Sequence, residues 1–402
     1  MSATAKAHGM DGTLVAPDWP PLTAGEVRAV LREFADFDGP ARILTASPRP
    51  FSAAGVVETR AGRVFVKRHW RAVRGREGLL EEHRLLAHLR EHGGEVPLVF
   101  AARSGETAIE AGEWTYEVHE TPAGIDLYEE AISWTPFRCA AHARAAGEAM
   151  ARLHLAAEGF DAPQRRPQPI VASFTIFAAE EPAVELDNYL SARVSIADHA
   201  GVRRCAKEAL ELLAPFHAEL RPLLPALEPV WTHNDLHASN LFWSDAGDGA
   251  RATAVIDFGL ADRTHAVHDL AHAIERNIVE WLALVNDPLH PDDVPVHFDH
   301  LRALLQGYES VRPLSDEEAA ALAPTVALCH AEFALSEADY FLGVLHAEEK
   351  AAMAYDGWLV GHARWFHTKT GRALVDAVRE WSETRAPARV QKSVRTRRAV
   401  QR

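Results

Sequence analysis

The chain has 402 residues, 48% of them hydrophobic, which exceeds what one small core needs and calls for two lobes. Its formal net charge of -15 argues against a general nucleic-acid binder, because phosphate backbones are held by surplus Lys and Arg. Cys139, Cys205 and Cys329 form no Cys-x-x-Cys pair and no uncharged apolar run approaches the ~18 residues of a membrane span, so a reducing, cytoplasmic, membrane-free setting is expected.

Residues 1–22, rich in Ala, Gly and Pro, read as a flexible arm. Thr23-Ala-Gly-Glu26 is a capping box, and the helix it opens runs to about Phe37 with Val27, Val30, Leu31 and Phe34 on one face. Two strands follow, Gly55–Thr59 and Arg63–Arg68. Lys67 leaves the second beside Val66, the context of a lysine that holds nucleotide phosphates. The turn Ser52-Ala-Ala-Gly55 is small enough for its backbone N–H groups to approach a phosphate, and an ordinary strand-entry loop is the plainer reading.

Gly78–Arg90 reads as a helix, with Leu85, Leu86 and Leu89 at helical spacing; Glu82 is the candidate partner of Lys67, and Glu81 the second choice. Val96–Ala102 and Trp114–Glu120 read as further strands. The Pro/Gly turn after them, residues 119–124, would be the hinge between lobes, where the backbone of His119, Glu120 and Thr121 would bond an adenine edge. A long Ala-rich helix is expected over Thr135–Ala157, and the polar stretch Phe160–Glu185 is where an acceptor pocket would be shaped.

The richest stretch is Trp231–Trp243, followed by Ala254–Gly259. It contains His233-x-Asp235-x4-Asn240, then a hairpin, then Asp257-Phe-Gly, the spacing of a phosphoryl-transfer site. Asp235 is the candidate base that orients the attacking hydroxyl. Asn240 and Asp257 offer the hard oxygens that Mg²⁺ prefers, and a hairpin would bring them together. His233 is assigned an architectural role, and Asp269 the role of bracing the loop. His237 is read as structural before substrate contact. His268-Asp-Leu-Ala-His272 mimics a zinc-protease helix, but Asp stands where the Glu base belongs and no third ligand has a diagnostic spacing, so a zinc hydrolase is the weaker reading.

Asn234 occupies the place where protein kinases carry Arg, and only the eleven residues 258–268 separate Asp257 from Asp269. There is no room for a peptide-docking activation segment, which points to a small acceptor. Past the core, Ser315 and Glu318 form a second capping box, and residues 384–402 read as a basic, disordered tail.

Taken together, Val66-Lys67, Glu82-x3-Leu86-x2-Leu89, Glu120-Thr-Pro-Ala-Gly124, Ala151-Arg-Leu-His154, His233-x-Asp235-x4-Asn240, Ile256-Asp-Phe-Gly259 and Asp269-Leu-Ala271 resemble the aminoglycoside phosphotransferase and choline kinase superfamily. The resemblance implies an α+β, bilobal, protein-kinase-like fold: an N-terminal lobe over 23–118, the hinge, and a larger, mainly helical lobe over 125–383. It implies transfer of phosphate from ATP or GTP, with Mg²⁺, to a hydroxyl of a small molecule such as an aminoglycoside or another antibiotic. Alternatives are a choline, homoserine or hydroxylysine kinase, or a non-catalytic nucleotide-binding module on the same fold. Neither nucleic acid nor membrane is an expected partner, and a monomer or homodimer is expected.

Overall fold

The computed structural model describes residues 7–385, so the expected tail lies outside the described residues from 386 onward, as do residues 1–6 of the arm. From residue 7 the arm is structured. β1 (Ala7–His8) and β2 (Leu14–Val15) pair as a small hairpin, and Trp19 stacks on Trp70 with ring centres 5.7 Å apart. The capping box at Thr23 and Glu26 is formed on α1 (Ala24–Leu31). That helix stops short of Phe37, yet Phe34 and Phe37 still pack into the core from the turns that follow.

β3 (Arg42–Ile43), β4 (Ala53–Thr59), β5 (Gly62–Trp70), β6 (Ile109–Ala111) and β7 (Trp114–Glu120) form one antiparallel sheet in the order β3-β4-β5-β7-β6. Period two puts Val57, Val64, Val66 and Val118 against Val27, Val30 and Leu31 of α1. Lys67 therefore projects from the opposite face, which α2 (Arg76–Glu91) covers with Leu79, Leu85, Leu86 and Leu89 buried. The expected strand at Val96–Ala102 does not form as a full ladder. A single bridge joins Val99 to His119, and Pro97, which has no N–H to donate, explains why the pairing is short.

The crossing between lobes is made at Gly124, whose φ of +110° suits glycine. A Cβ there would lie 2.5 Å from the Trp243 carbonyl oxygen, because Ile125 and Trp243 exchange backbone hydrogen bonds of 2.8 and 2.9 Å. The second lobe begins with α3 (Ala140–Ala157), five residues later than expected, after Pro136 has disfavoured helical geometry for Thr135. α4 (Pro182–Ser191) and α5 (Ala200–Leu220) follow.

Next come two antiparallel strand pairs that frame the stretch from His233 to Asp257. β8 (Pro229–Thr232) pairs with β11 (Asp262–His265), and β9 (Leu241–Trp243) pairs with β10 (Ala252–Val255). The rest is helical: α6 (Ala266–Ile278), α7 (Trp281–Asn286), α8 (Phe298–Val311), α9 (Asp316–Leu328), α10 (Ala331–Gly343), α11 (Glu348–Ala352), a π-helical stretch at Met353–Val360, α12 (Gly361–Trp365) and α13 (Lys369–Thr384). The run Asp316–Gly343 is long and apolar enough to cross a membrane by length and composition, but it is packed inside this lobe.

Candidate active site

The loop between β8 and β9 is fixed from beneath by one buried carboxylate. Asp269, near the start of α6, accepts the backbone N–H groups of His233 and Asn234, each at 2.8 Å, and His154 Nε2 lies 3.0 Å from its Oδ2. Asn234 sits at φ +61°. Its amide nitrogen donates to the Ala172 carbonyl at 2.8 Å and its side-chain oxygen accepts from Thr232 Oγ1 at 2.8 Å. Asparagine thus fills a small polar socket where arginine would not fit. His233 reaches across to the Ile256 carbonyl (2.9 Å) and meets Phe258 edge-on at 4.7 Å. It therefore ties the loop to the Asp-Phe-Gly turn.

The hairpin brings its two ends together as its length requires. Ile256 N–H donates to the Asn240 carbonyl at 3.0 Å, which sets Asn240 beside Asp257. Asn240 Nδ2 donates to the Asp235 carbonyl at 2.9 Å, so the amide oxygen is turned to the other side. Asp257 adopts φ +63°, and its Oδ1 meets Lys67 Nζ at 2.8 Å. Lys67, Asp235, Asn240 and Asp257 line one cavity of about 130 Å³ together with Ser52, Arg49, Arg276, Phe333 and Glu337. Trp134, Ile170 and Asp257, all at positive φ, also line it. Left-handed backbone at non-glycine residues is costly and gathers at functional sites.

Electrostatics separates the carboxylates. Burial pushes Asp235 up to about 6, with Asp257 adding to the effect and Arg276, His233 and Arg49 opposing it. Burial acts the same way on Asp257, but the Lys67 ammonium outweighs it and holds that carboxylate well below the usual range. Lys67 in turn resists the pull of burial because Asp257, Glu117 and Glu82 surround it, and it is held protonated. One carboxylate is thus fixed as an anion beside a cation while the other titrates near neutrality. Asn240 and Asp257 present the oxygen donors suited to Mg²⁺.

Several expected contacts are placed differently. The ion pair of Lys67 is with Asp257, and Glu82 instead faces Arg165 at 3.6 Å. The carboxylate across from Lys67 in the sheet is Glu117, its register partner on β7. Burial raises the Glu117 carboxyl, but His119, His69 and His83 around it bring it well below the usual range. Gly55 lies inside β4, where a Cβ would stand 2.2 Å from the Thr45 carbonyl oxygen. Its smallness serves that backbone approach and not a phosphate turn; Ser52 does line the cavity. In the expected hinge, the Glu120 N–H is taken by Leu98 O at 2.8 Å, and the His119 ring by Glu117 at 2.8 Å. The Thr121 hydroxyl is buried without a hydrogen-bond partner.

Four cavity residues were not singled out from sequence. Arg49 hangs from the loop before β4 and donates to the Ala131 carbonyl at 3.2 Å, across the cleft. Arg276 Nε lies 3.3 Å from Asp235 Oδ1, and its guanidinium stands over Phe333 at 4.6 Å. Glu337 is pushed by burial up to about 8. Arg74 donates to the carbonyls of Gly259 (2.5 Å) and Ile170 (2.6 Å), clamping the Asp-Phe-Gly turn. Arg276 had a legible signal, since it lies seven residues after Asp269 on one helical face. His237 lies in the same cavity, with Nδ1 2.7 Å from Ser239 Oγ. His268 is engaged with Asn234 and Thr264 at 3.2 Å, and among the described residues it joins no metal-sized cluster.

Comparison with known proteins places this geometry in a family. The model of the phosphotransferase enzyme family matches residues 51–314. The homoserine kinase of Gluconobacter oxydans (strain 621H) is 29% identical over 252 residues, 60% of this chain and 64% of that protein. The homoserine kinase of Phenylobacterium zucineum (strain HLK1) is 28% identical over 302 residues, 75% of this chain and 80% of that protein. The chain thus spans under two thirds of the length of the Gluconobacter relative. Among solved structures, the aminoglycoside phosphotransferase from Alicyclobacillus acidocaldarius superposes with a TM-score of 0.51 at 16% identity, covering 91% of this chain and 98% of that one. The amicoumacin kinase hAmiN, solved with AMP-PNP, Ca²⁺ and Ami, gives 0.52 at 14% identity, covering 91% and 95%. These two share the bilobal fold. By the match over 51–314, the chain belongs to the phosphotransferase enzyme family.

Proposed function

We propose that this chain transfers the γ-phosphate of ATP or GTP to a hydroxyl of a small molecule. The observation that carries the reading is the convergence of Lys67, Asp235, Asn240 and Asp257, from three separate stretches, on one cavity. Asp235 accepts the hydrogen bond of the attacking hydroxyl and orients it. Lys67 holds the nucleotide phosphates, with Ser52 and the 119–121 backbone as further nucleotide contacts. Asn240 and Asp257 would hold Mg²⁺, which when bound neutralises phosphate charge. The lobe boundaries at 23–118 and 125–383 follow from the same reading, and a cytoplasmic enzyme is the setting it suits.

For the acceptor, the cavity favours a small hydroxy amino acid over a bulky antibiotic. It presents Arg49 and Arg276, which suit a carboxylate, together with the Asp235 carboxylate, which suits an ammonium on the same small molecule. The curated relatives named as homoserine kinases agree with that chemistry. Incubation with γ-labelled ATP and a panel of homoserine, hydroxylysine, choline and aminoglycosides should label a hydroxy amino acid. Labelling of an aminoglycoside alone would reverse the acceptor assignment and leave the kinase reading in place.

The raised Asp235 carboxyl gives a pH dependence with a definite sign. Its folded value, about 6, lies above the ordinary 3.8. The folded chain therefore binds the extra proton between those values, and the stability from this group is lost as pH rises through about 6. Activity runs the other way, because the base must be ionised. kcat/KM is expected to climb with pH through about 6, and a flat profile between pH 5 and 7 would count against Asp235 as the base.

A further inference from the structure

Behind the cavity floor lies a polar cluster that the kinase reading does not use. Glu275 on α6, His330 just before α10 and His362 on α12 are 0%, 3% and 2% exposed. Both carboxylate oxygens of Glu275 and both ring nitrogens of each histidine lack a hydrogen-bond partner. Buried polar groups left this way are costly, and so many together point to something that completes them. Glu275 Oε1 stands 3.4 Å from His330 Nδ1 and 3.6 Å from His362 Nδ1. Donors bound ~2.0–2.1 Å from a tetrahedral ion lie about 3.3 Å from each other, so these spacings are those of a coordination shell.

A second cluster in the same protein shows the contrast. His83, Glu117 and His119 also gather within metal-binding range. There the histidine nitrogens stand 2.7 and 2.8 Å from Glu117, direct hydrogen bonds that already satisfy the donors. Around Glu275 the gaps are too long for hydrogen bonds of that strength and suit an intervening cation.

We propose that Glu275, His330 and His362 form a binding site for Zn²⁺, with water as the fourth ligand. Two imidazoles and one carboxylate are a zinc donor set, unlike the amide and carboxylate oxygens of Asn240 and Asp257. The ion would staple α6, the start of α10 and α12 together. It would also be felt in the cavity. Glu275 Oε2 lies 3.5 Å from Arg276 Nε, and that same Nε lies 3.3 Å from Asp235 Oδ1. A carboxylate fixed by zinc on one oxygen holds Arg276 with the other, so Glu275 and Arg276 act as positioning residues for Asp235.

The test is metal analysis of the full chain, purified without a metal-binding tag and dialysed against buffer. About one zinc per chain is expected. His330→Gln and His362→Gln should each weaken zinc binding by more than the about ten- to hundredfold lost with an outer partner, while His297→Gln, at the residue just before α8 and outside this cluster, keeps it. Co²⁺ added to the stripped chain should give the visible absorption of a tetrahedral site, and His362→Gln should lose it. Because a buried variant can fail to fold, the unaltered chain supplies an independent arm: zinc added after chelation should raise its melting temperature. No zinc uptake and no melting shift in the unaltered chain would overturn the site, as would full retention in a His330→Gln/His362→Gln double variant. Each readout is independent of phosphate transfer, so failure here leaves the kinase reading standing.

Discussion

Replacing Asp235 with asparagine is expected to lower phosphate transfer by about a hundred- to ten-thousand-fold while nucleotide affinity stays within a few fold. The substitution preserves shape but removes the charge that aligns and accepts the proton of the attacking hydroxyl. It leaves the Lys67–Asp257 pair at 2.8 Å untouched, and the Asn240 amide still finds the backbone carbonyl of residue 235 at 2.9 Å. The groups proposed to hold phosphates and metal therefore keep their places. Steady-state kinetics paired with calorimetric titration of Mg²⁺·ATP would separate the two effects. Turnover at the level of the unaltered chain would falsify the assignment of the base.

The second large effect is on stability. Asp269→Ala should cost about 3–5 kcal/mol in denaturant unfolding, because a fully buried carboxylate with an ionisable partner is removed. The change strands two buried backbone N–H groups, those of His233 and Asn234, and the ring of His154, which now share that one side chain. Each orphaned donor loses its hydration without recompense. Asp269→Asn keeps one acceptor oxygen and should fall between. Transfer activity should drop with stability, since Asp235 follows directly on the two residues that come loose. A loss below about 1 kcal/mol would instead mean that Asn277, which donates to Leu236 O at 2.9 Å and accepts from Ala238 N at 3.1 Å, holds the loop without help.

What could be read from sequence follows how local the determinant is. Thr23 and Glu26, or Ser315 and Glu318, cap helices through contacts three residues apart, and both boxes form. The hairpin from Asn240 to Asp257 is likewise local. Lys67 needed only strand alternation to be aimed at the cleft. Long-range choices were not legible. Whether Lys67 meets Glu82 or Asp257 depends on where Arg165, 83 residues beyond Glu82, comes to rest. Gly55 shows the same limit: the residue that forbids a side chain there is the Thr45 backbone ten positions earlier. Arg49 and Glu337 carried no motif at all and became cavity residues only once loop and helix were folded together. Arg276 lies between these cases, visible as a helical neighbour of Asp269 but given meaning only by Asp235.

The most direct test of the central claim is transfer of label from γ-labelled ATP, with Mg²⁺, to the acceptor panel by the full chain and by its Asp235→Asn variant in parallel. The account predicts a phosphorylated hydroxy amino acid from the unaltered chain and a product signal reduced at least a hundredfold, to about the assay floor, from the variant. Tight Mg²⁺·ATP binding with no labelled product across the whole panel would contradict it, and would mark the fold as a nucleotide-binding module without transfer.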